Sequence, residues 1–225
     1  MSEQALSRRE LYREQTRDEI MTIALRQIAD GGVEALSLNA IAKEMAVSGA
    51  ALYRYFASRD DLLAALMVQA YEDLAETLET AAARRHKSGP ARVHAVAAAY
   101  RAWALAQPHR YRLIFSTRVG IGHLASDDIV LASQRSMNVF LEAFSSLPSR
   151  PESTGRALNP ALANQLKAWH RRSTQPALPP ATLRLGMICW TRLHGILSLE
   201  LDGHLHATNV DPELLYHAEV DDLIG

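Results

Sequence analysis

The sequence contains a single cysteine, Cys189, among its 225 residues. One cysteine cannot form an intrachain disulfide, and it cannot supply the several thiolates of a cysteine-based zinc site. No apolar run approaches the roughly 18 residues of a membrane-spanning helix, and the first ten residues are polar and charged. We therefore expect neither an exported nor a membrane-spanning protein, but a cytoplasmic one.

The sequence also lacks the excess of basic residues that DNA-binding proteins often carry. It has 24 Lys and Arg against 25 Asp and Glu, which gives a formal net charge of −1. The placement of the charges is more favourable: residues 46–59 contain no acidic residue, and four arginines precede residue 18. Total charge therefore gives no support to DNA binding, whereas local charge does.

Motifs for catalysis are sparse. No Gly-x-Ser-x-Gly occurs, and nothing indicates a Ser-His-Asp triad or paired catalytic carboxylates. Residues 120–125, GIGHLA, match a dinucleotide-binding fingerprint, but no alternation of strands and helices surrounds them. Asp202, His204 and His206 resemble a metal cluster, although a solvated turn at a helix end is the plainer interpretation. We expect no enzyme, no cofactor and no metal site.

Hydrophobic periodicity predicts three short helices and a long one before residue 86. Thr16 and Glu19 form a capping box for the first helix, which stops at Gly31-Gly32. Ser37 caps a second helix of about two turns, and a third covers residues 49–56. A second capping box at residues 58–61 then begins a helix that continues to about residue 85.

Gly89-Pro90 breaks the chain, and an Ala- and Leu-rich helical block follows. Its helices are predicted at about 91–106, 109–117, 127–147, 160–173, 181–202 and 212–223. The predicted fold is all-α. Its parts are a flexible N-terminal arm over 1–15, a helix-turn-helix domain over 16–60 with its motif at 37–56, and a helical-bundle domain for ligand binding and dimerisation over 61–225.

Periodicity alone is weak support for DNA binding, but the residues from Ile41 to Phe56 (IAKEMAVSGAALYRYF), followed by SRDDLL at 58–63, are specific. They resemble the TetR family of helix-turn-helix transcriptional regulators over residues 16–66. The departures from the family pattern are mild, with Tyr55 where a histidine is common, Arg59 where a lysine is common and Ala50 where glycine or proline is frequent.

The resemblance implies a set of DNA-binding residues. Small side chains at the start of the third helix let the backbone approach the major groove, and alanine methyls can touch thymine methyls. Tyrosine hydroxyls, the arginine at the start of the fourth helix and the serine at the N-terminus of the second reach phosphates. The set comprises Ser37, Asn39, Lys43, Ser48, Gly49, Ala50, Ala51, Tyr53, Tyr55 and Arg59. Alternatively, Tyr53 and Tyr55 have only a structural role and pack at the surface against the fourth helix.

The N-terminal arm carries Arg8, Arg9 and Arg13. Arms of other helix-turn-helix proteins place arginines in a minor groove. A solvated, disordered arm is an equally good interpretation of these residues.

Large rings among many alanines indicate a bundle with room for an apolar ligand between helices, or simply a packed core. The candidate ligand residues are Tyr100, Trp103, Tyr111, Phe115, Trp190 and His194. The stretch from Trp190 to Gly195 resembles the Trp-His-Gly signature of one branch of TetR C-terminal domains. The effector itself cannot be read from the sequence.

By the same resemblance, helices at about 160–173 and 181–202 pair with their copies in a homodimer, whose two recognition helices read a near-palindromic operator. We expect a nucleoid-associated repressor that a small molecule releases from DNA. The alternative is a DNA-binding regulator without a ligand that a protein partner controls.

Overall fold

The fold is described from a computed structural model, which describes residues 7–115, 126–147, 158–173 and 175–225. Over these ranges it contains ten α-helices, two short 3-10 segments and no strand, so the all-α prediction is confirmed. The helices are α1 (Arg8–Gly31), α2 (Leu38–Glu44), α3 (Gly49–Leu52), α4 (Arg59–Ala83), α5 (Gly89–Ala106), α6 (Pro108–Phe115), α7 (Asp127–Ser145), α8 (Pro160–His170), α9 (Pro180–Leu201) and α10 (Pro212–Ile224).

Helix α1 begins two turns earlier than predicted. Ser7 and Glu10 form its capping box: the Ser7 hydroxyl accepts from the Glu10 amide at 3.3 Å, and the Glu10 carboxylate accepts from the Ser7 amide at 2.7 Å. Thr16 lies inside the helix, where its hydroxyl donates to the Tyr12 carbonyl at 2.8 Å. The prediction of a flexible arm is therefore wrong for residues 8–15, which contain no helix-breaking residue.

The described residues form two compact units. The first unit comprises Met1–Ala70 and His109–Ser126, and the second comprises Tyr71–Pro108 and Asp127–Gly225. Helix α4 begins in the first unit and continues into the second. The predicted boundary after residue 60 lies within the first turn of α4, and the division of the chain into the three predicted domains stays a prediction.

The core of the first unit forms where α1, α2 and α3 bring their apolar sides together. Ile20, Ile41 and Leu52 are almost fully buried, and Phe56 is 3% exposed. Leu52 and Phe56 therefore belong to the core of this unit. Helix α3 ends at Leu52 and not at Phe56 as predicted, because the chain passes into a turn over residues 53–55.

In the second unit, Leu141, Leu166 and Leu183 form a cluster that joins α7, α8 and α9. Gly186 allows the close approach of α9 to α7, since a Cβ there would lie 2.5 Å from a methyl of Leu141. Leu166, Leu183 and Gly186 lie on the two helices, at about 160–173 and 181–202, that the sequence predicts to pair with their copies in a dimer. They belong instead to the interior of one chain, because the apolar side of α9 is covered by its own neighbours.

Two further features of the second unit concern α9. Arg101 of α5 donates to Glu200 of α9 at 2.6 Å and to Glu213 of α10 at 3.1 Å, so that one guanidinium joins three helices. Cys189 is 2% exposed, and its burial raises the pKa of the thiol to about 12.

Candidate nucleic-acid interface

Residues 37–56, here called the reading head, fold as two short helices around a tight turn. Each helix starts at a serine whose hydroxyl accepts from a first-turn amide: Ser37 from Ala40 at 3.3 Å and Ser48 from Ala51 at 3.2 Å. The turn between them places Ala46 in the left-handed region, with a φ of +54°. The arrangement is a helix-turn-helix, as the sequence predicts.

The reading head separates its side chains into two sets. Ile41, Ala42 and Leu52 face the core. Nine of the ten predicted DNA-binding residues, all except Arg59, lie in the reading head, and none of them is buried. The exposed members are Asn39, Lys43, Ser48, Ala50 and Tyr53, and the partly buried ones are Ser37, Gly49, Ala51 and Tyr55.

The two helices meet at their exposed sides. A Cβ built on Gly49 would lie 3.9 Å from the side-chain oxygen of Asn39, so the start of α3 is adjacent to α2 and sterically open. The Tyr53 side chain, 50% exposed, extends from the end of α3. This surface offers small side chains, an amide, an ammonium and phenol hydroxyls, which are groups that contact base edges and phosphates.

Arg59 performs a structural task within the first unit. Its guanidinium donates to the carbonyls of Leu36 at 3.1 Å and Val33 at 2.5 Å, and it lies 3.7 Å from the Glu34 carboxylate. These bonds hold the segment before α2 against the start of α4. The sequence assigned Arg59 to a phosphate, whereas the structure directs its donors to backbone carbonyls and so makes it a positioning residue.

Sequence reasoning missed Arg17. Its guanidinium donates to the Tyr55 carbonyl at 3.4 Å, and its central carbon lies 4.3 Å from the centre of the Phe56 ring. This contact fixes α1 to the end of the reading head. The available signal was its position one turn before Ile20, which places it on the core-facing side of α1.

The predicted ligand residues do not form one set in either unit. Tyr111 and Phe115 belong to the first unit, where their ring centres are 5.0 Å apart. In the second unit, Tyr100 is 3% exposed and packs edge-on against Phe140. Trp103 is also buried and donates its ring N–H to Asp73 of α4 at 2.7 Å.

The remaining two predicted ligand residues lie on α9. Trp190 is 37% exposed and stacks on His194 with ring centres 6.0 Å apart. Burial lowers the pKa of His194, which favours the neutral imidazole near pH 7. Trp190 therefore lies partly at the surface of its own chain, and its role in ligand binding stays a prediction.

The second unit contains a cavity of about 330 Å³ that the sequence did not predict. Its rim includes Arg135 of α7, which makes two bonds to the Glu79 carboxylate at 2.6 and 2.7 Å. The cavity is lined by Glu79, Leu131, Gln134, Arg135, Asn138, Val139, Glu142, Ser173 and Gln175. These side chains are largely polar, in contrast to the apolar, aromatic pocket that composition suggested.

Two other candidate sites came from the sequence, a metal cluster and a dinucleotide-binding fingerprint. Asp202, His204 and His206 follow one another at the end of α9, where Gly203 has a φ of +76°. Within the described ranges, no three His, Cys, Asp or Glu side chains are grouped to hold a metal ion. Residues 120–125 lie outside the described residues. None of the described helices combines the length and apolar character needed to cross a membrane.

Comparison with known families accounts for this arrangement. Residues 20–66 match the family described as bacterial regulatory proteins, tetR family, and residues 93–223 match the tetracyclin repressor-like C-terminal domain. The chain belongs to the TetR family. It is thus a TetR-family transcriptional regulator with a DNA-binding helix-turn-helix, and its family and relatives are regulators and not enzymes.

Individual relatives agree with this assignment. The HTH-type transcriptional regulator Rv1816 of Mycobacterium tuberculosis (strain H37Rv) is 30% identical over 220 residues, which cover 95% of this chain and 92% of the relative. The crystal structure of the regulatory protein SCO4313 superposes with a TM-score of 0.78 at 42% identity, covering 96% of this chain and 98% of that one. The TetR-family regulator PfmR of Thermus thermophilus, at 15% identity and a TM-score of 0.58, covering 91% and 96%, shares the fold.

The Ser48 cap generates a stability prediction. Replacing Ser48 with alanine removes the acceptor for the Ala51 amide, and loss of an N-cap costs about 0.5–2 kcal/mol. We expect Ser48→Ala to lower the free energy of unfolding by about 1 kcal/mol in urea titrations followed by circular dichroism. Ser48→Asn keeps a capping acceptor and should restore most of the loss; equal destabilisation by both variants would contradict the capping role.

Proposed function

We propose that this regulator is a dimeric repressor, which reads a near-palindromic operator with the reading heads of two subunits and leaves DNA when a small molecule binds. The observation that carries the DNA half is the outward side of the reading head, where Gly49 and Ala50 open the start of α3 and Tyr53 extends from its end. A bacterial regulator of this kind meets its operator in the cytoplasm.

The contacts divide by chemistry. Asn39 and Lys43 are exposed on α2 and supply polar contacts to base edges or to the DNA backbone. Ala50 and Ala51 present methyl groups to thymine methyls. Ser37, Ser48, Tyr53 and Tyr55 reach phosphates, which fixes the register of α3 in the major groove.

Tyr53→Phe tests this division. The variant loses one hydroxyl that we assign to a phosphate, and a hydrogen bond to a charged group contributes roughly 1.5–3 kcal/mol. We expect about a tenfold or greater loss of affinity in gel shifts with the DNA upstream of the gene, and an unchanged melting temperature. Unchanged affinity would remove Tyr53 from the interface, and absence of binding by the wild-type protein at low salt would overturn the DNA-binding proposal.

A homodimer follows from the spacing of two half-sites about 34–36 Å apart, which one subunit cannot span. We assign the interface to the outward sides of α8 and α9. On α9 this side carries Ile188, Thr191, Gly195 and Leu199, and a Cβ on Gly195 would meet nothing within 4 Å in its own chain. On α8, Leu162 is 40% exposed. An open glycine between apolar side chains permits the close approach of a second helix.

Gly195→Gln tests the dimer. A long side chain at the closest point of the two helices would overpack the interface, and overpacking typically costs 1–3 kcal/mol. We expect the dimer dissociation constant, measured by sedimentation velocity, to rise by about tenfold or more. Ala102→Gln, which adds the same group at an exposed position of α5, is the matched control and should leave it unchanged. A monomeric wild-type protein would contradict the assignment.

Ligand response is supported by the polar cavity in the second unit and by a contact that reaches α4. The bond from Trp103 to Asp73 ties α5 to α4, and α4 begins at Arg59, directly after the reading head. A ligand that shifts α5 would therefore act on the helix that follows the reading head. Coupling of this kind typically amounts to 1–3 kcal/mol, or 5- to 150-fold in DNA affinity.

A thermal-shift screen of polar and apolar metabolites tests the cavity. A compound that binds only the folded state adds about 2.7 kcal/mol of stability at 100 times its dissociation constant. We expect polar compounds to raise the melting temperature of the wild type and of Leu105→Trp, but not of Leu131→Trp, which enlarges a side chain that lines the cavity. Leu105 is an exposed leucine outside the cavity. Equal stabilisation of both variants would contradict binding in this cavity.

A further inference from the structure

The first two turns of α1 extend before the core of the first unit and carry arginines in a regular pattern. Residues four apart lie on one side of a helix, so Arg9, Arg13 and Arg17 share a side. Further along the same side, Ile20 and Ala24 are fully buried. The side of α1 that packs into the core from Ile20 onwards is therefore basic in its first two turns.

The position of this basic side relative to the reading head is fixed by Arg17. Arg17 bonds to the Tyr55 carbonyl and lies against the Phe56 ring. With a rise of 1.5 Å per residue, Arg13 and Arg9 follow at roughly 6 and 12 Å along the helix axis. They continue outward from the end of the reading head, beside a tyrosine that we assign to a phosphate.

Arg9 and Arg13 are both exposed, and within the described residues neither donates to a carboxylate. The nearest acidic residue in the first turn, Glu10, is held by Ser7, whose hydroxyl and amide keep the pKa of this carboxyl low. Glu14 lies about 100° around the helix from Arg13. Two guanidinium groups are thus presented together, adjacent to a DNA-binding surface.

We propose that Arg9 and Arg13 form a second contact with DNA, to phosphates that flank the site read by α3 of the same subunit. The inference rests on the DNA binding proposed above and extends its interface from the reading head to α1. A helical segment presents the two guanidinium groups at fixed spacing, whereas a disordered arm would lose conformational entropy on binding. Because phosphate contacts carry no sequence information, they add affinity and salt dependence without changing the preferred operator.

The salt dependence of binding measures these contacts directly. Each phosphate contact contributes about 0.9 to the slope of log affinity against log salt concentration. With two arginines on each of two subunits, Arg9→Gln/Arg13→Gln should reduce the steepness of the slope by about 3 to 4. The probe is a mixed-sequence duplex of about 40 base pairs, titrated by fluorescence anisotropy between roughly 50 and 200 mM salt.

Arg8→Gln is the matched control, because Arg8 carries the same charge but lies about 100° or more around α1 from Arg9 and Arg13. It should leave the slope nearly unchanged, and Arg9→Lys/Arg13→Lys should keep most of it. A slope equal to that of the wild type in the double glutamine variant would overturn the inference, as would an equal reduction by Arg8→Gln. If the wild-type protein fails to bind the duplex at low salt, it is the proposed function that fails.

Discussion

The reading head depends on the burial of Leu52 and Phe56 in the core of the first unit. Helices of seven and four residues, such as α2 and α3, are far too short to be stable in water by themselves. Their geometry is therefore imposed by the core of the first unit, by the caps at Ser37 and Ser48, and by Arg59. The exposed side chains of α3 are held in position because Leu52, on the opposite side of the same helix, is buried in the core.

Two arginines show how the charged residues of this unit divide their roles. Arg17 and Arg59 both lie close to the reading head, and both direct guanidinium donors to backbone carbonyls. Each joins a long helix, α1 or α4, to a short segment outside the α-helices. Some of the positive charge near the reading head therefore has a structural role. For this reason the number of basic residues alone is weak support for DNA binding.

The sequence predicted the helices well because their signals are local. Caps, glycine breaks and apolar spacing placed α2 and α4 to α10 within a few residues of their observed ends. The start of α1 was missed because the sequence offers two possible capping boxes, one at Ser7 and one at Thr16. The helix begins at the earlier one, since no helix-breaking residue lies between them. The bonds of Arg59 to backbone carbonyls were not predicted, because the sequence cannot tell whether a guanidinium meets a phosphate or a carbonyl in its own chain.

The second unit was harder to predict for a different reason. Leucines occur on several sides of α9. Their periodicity does not show which side packs within the same chain and which side is available to a second subunit. Gly186 and Gly195 both lie within α9, and the sequence does not show which of them has a close neighbour. A Cβ at Gly186 would clash with Leu141, whereas a Cβ at Gly195 would meet nothing within 4 Å. The polar cavity at Asn138 and Arg135 is assembled from α4, α7 and the segment after α8, so no local pattern marks it.

The buried thiol of Cys189 has a practical consequence. Burial raises the pKa of this thiol to about 12, so the neutral thiol predominates at pH 7, and the sulfur is shielded from solvent. In the folded protein we therefore expect this thiol to react slowly with thiol reagents and oxidants. A cysteine introduced at the surface would be the sole reactive one, so the chain can accept a single fluorophore or spin label without prior removal of its own sulfhydryl.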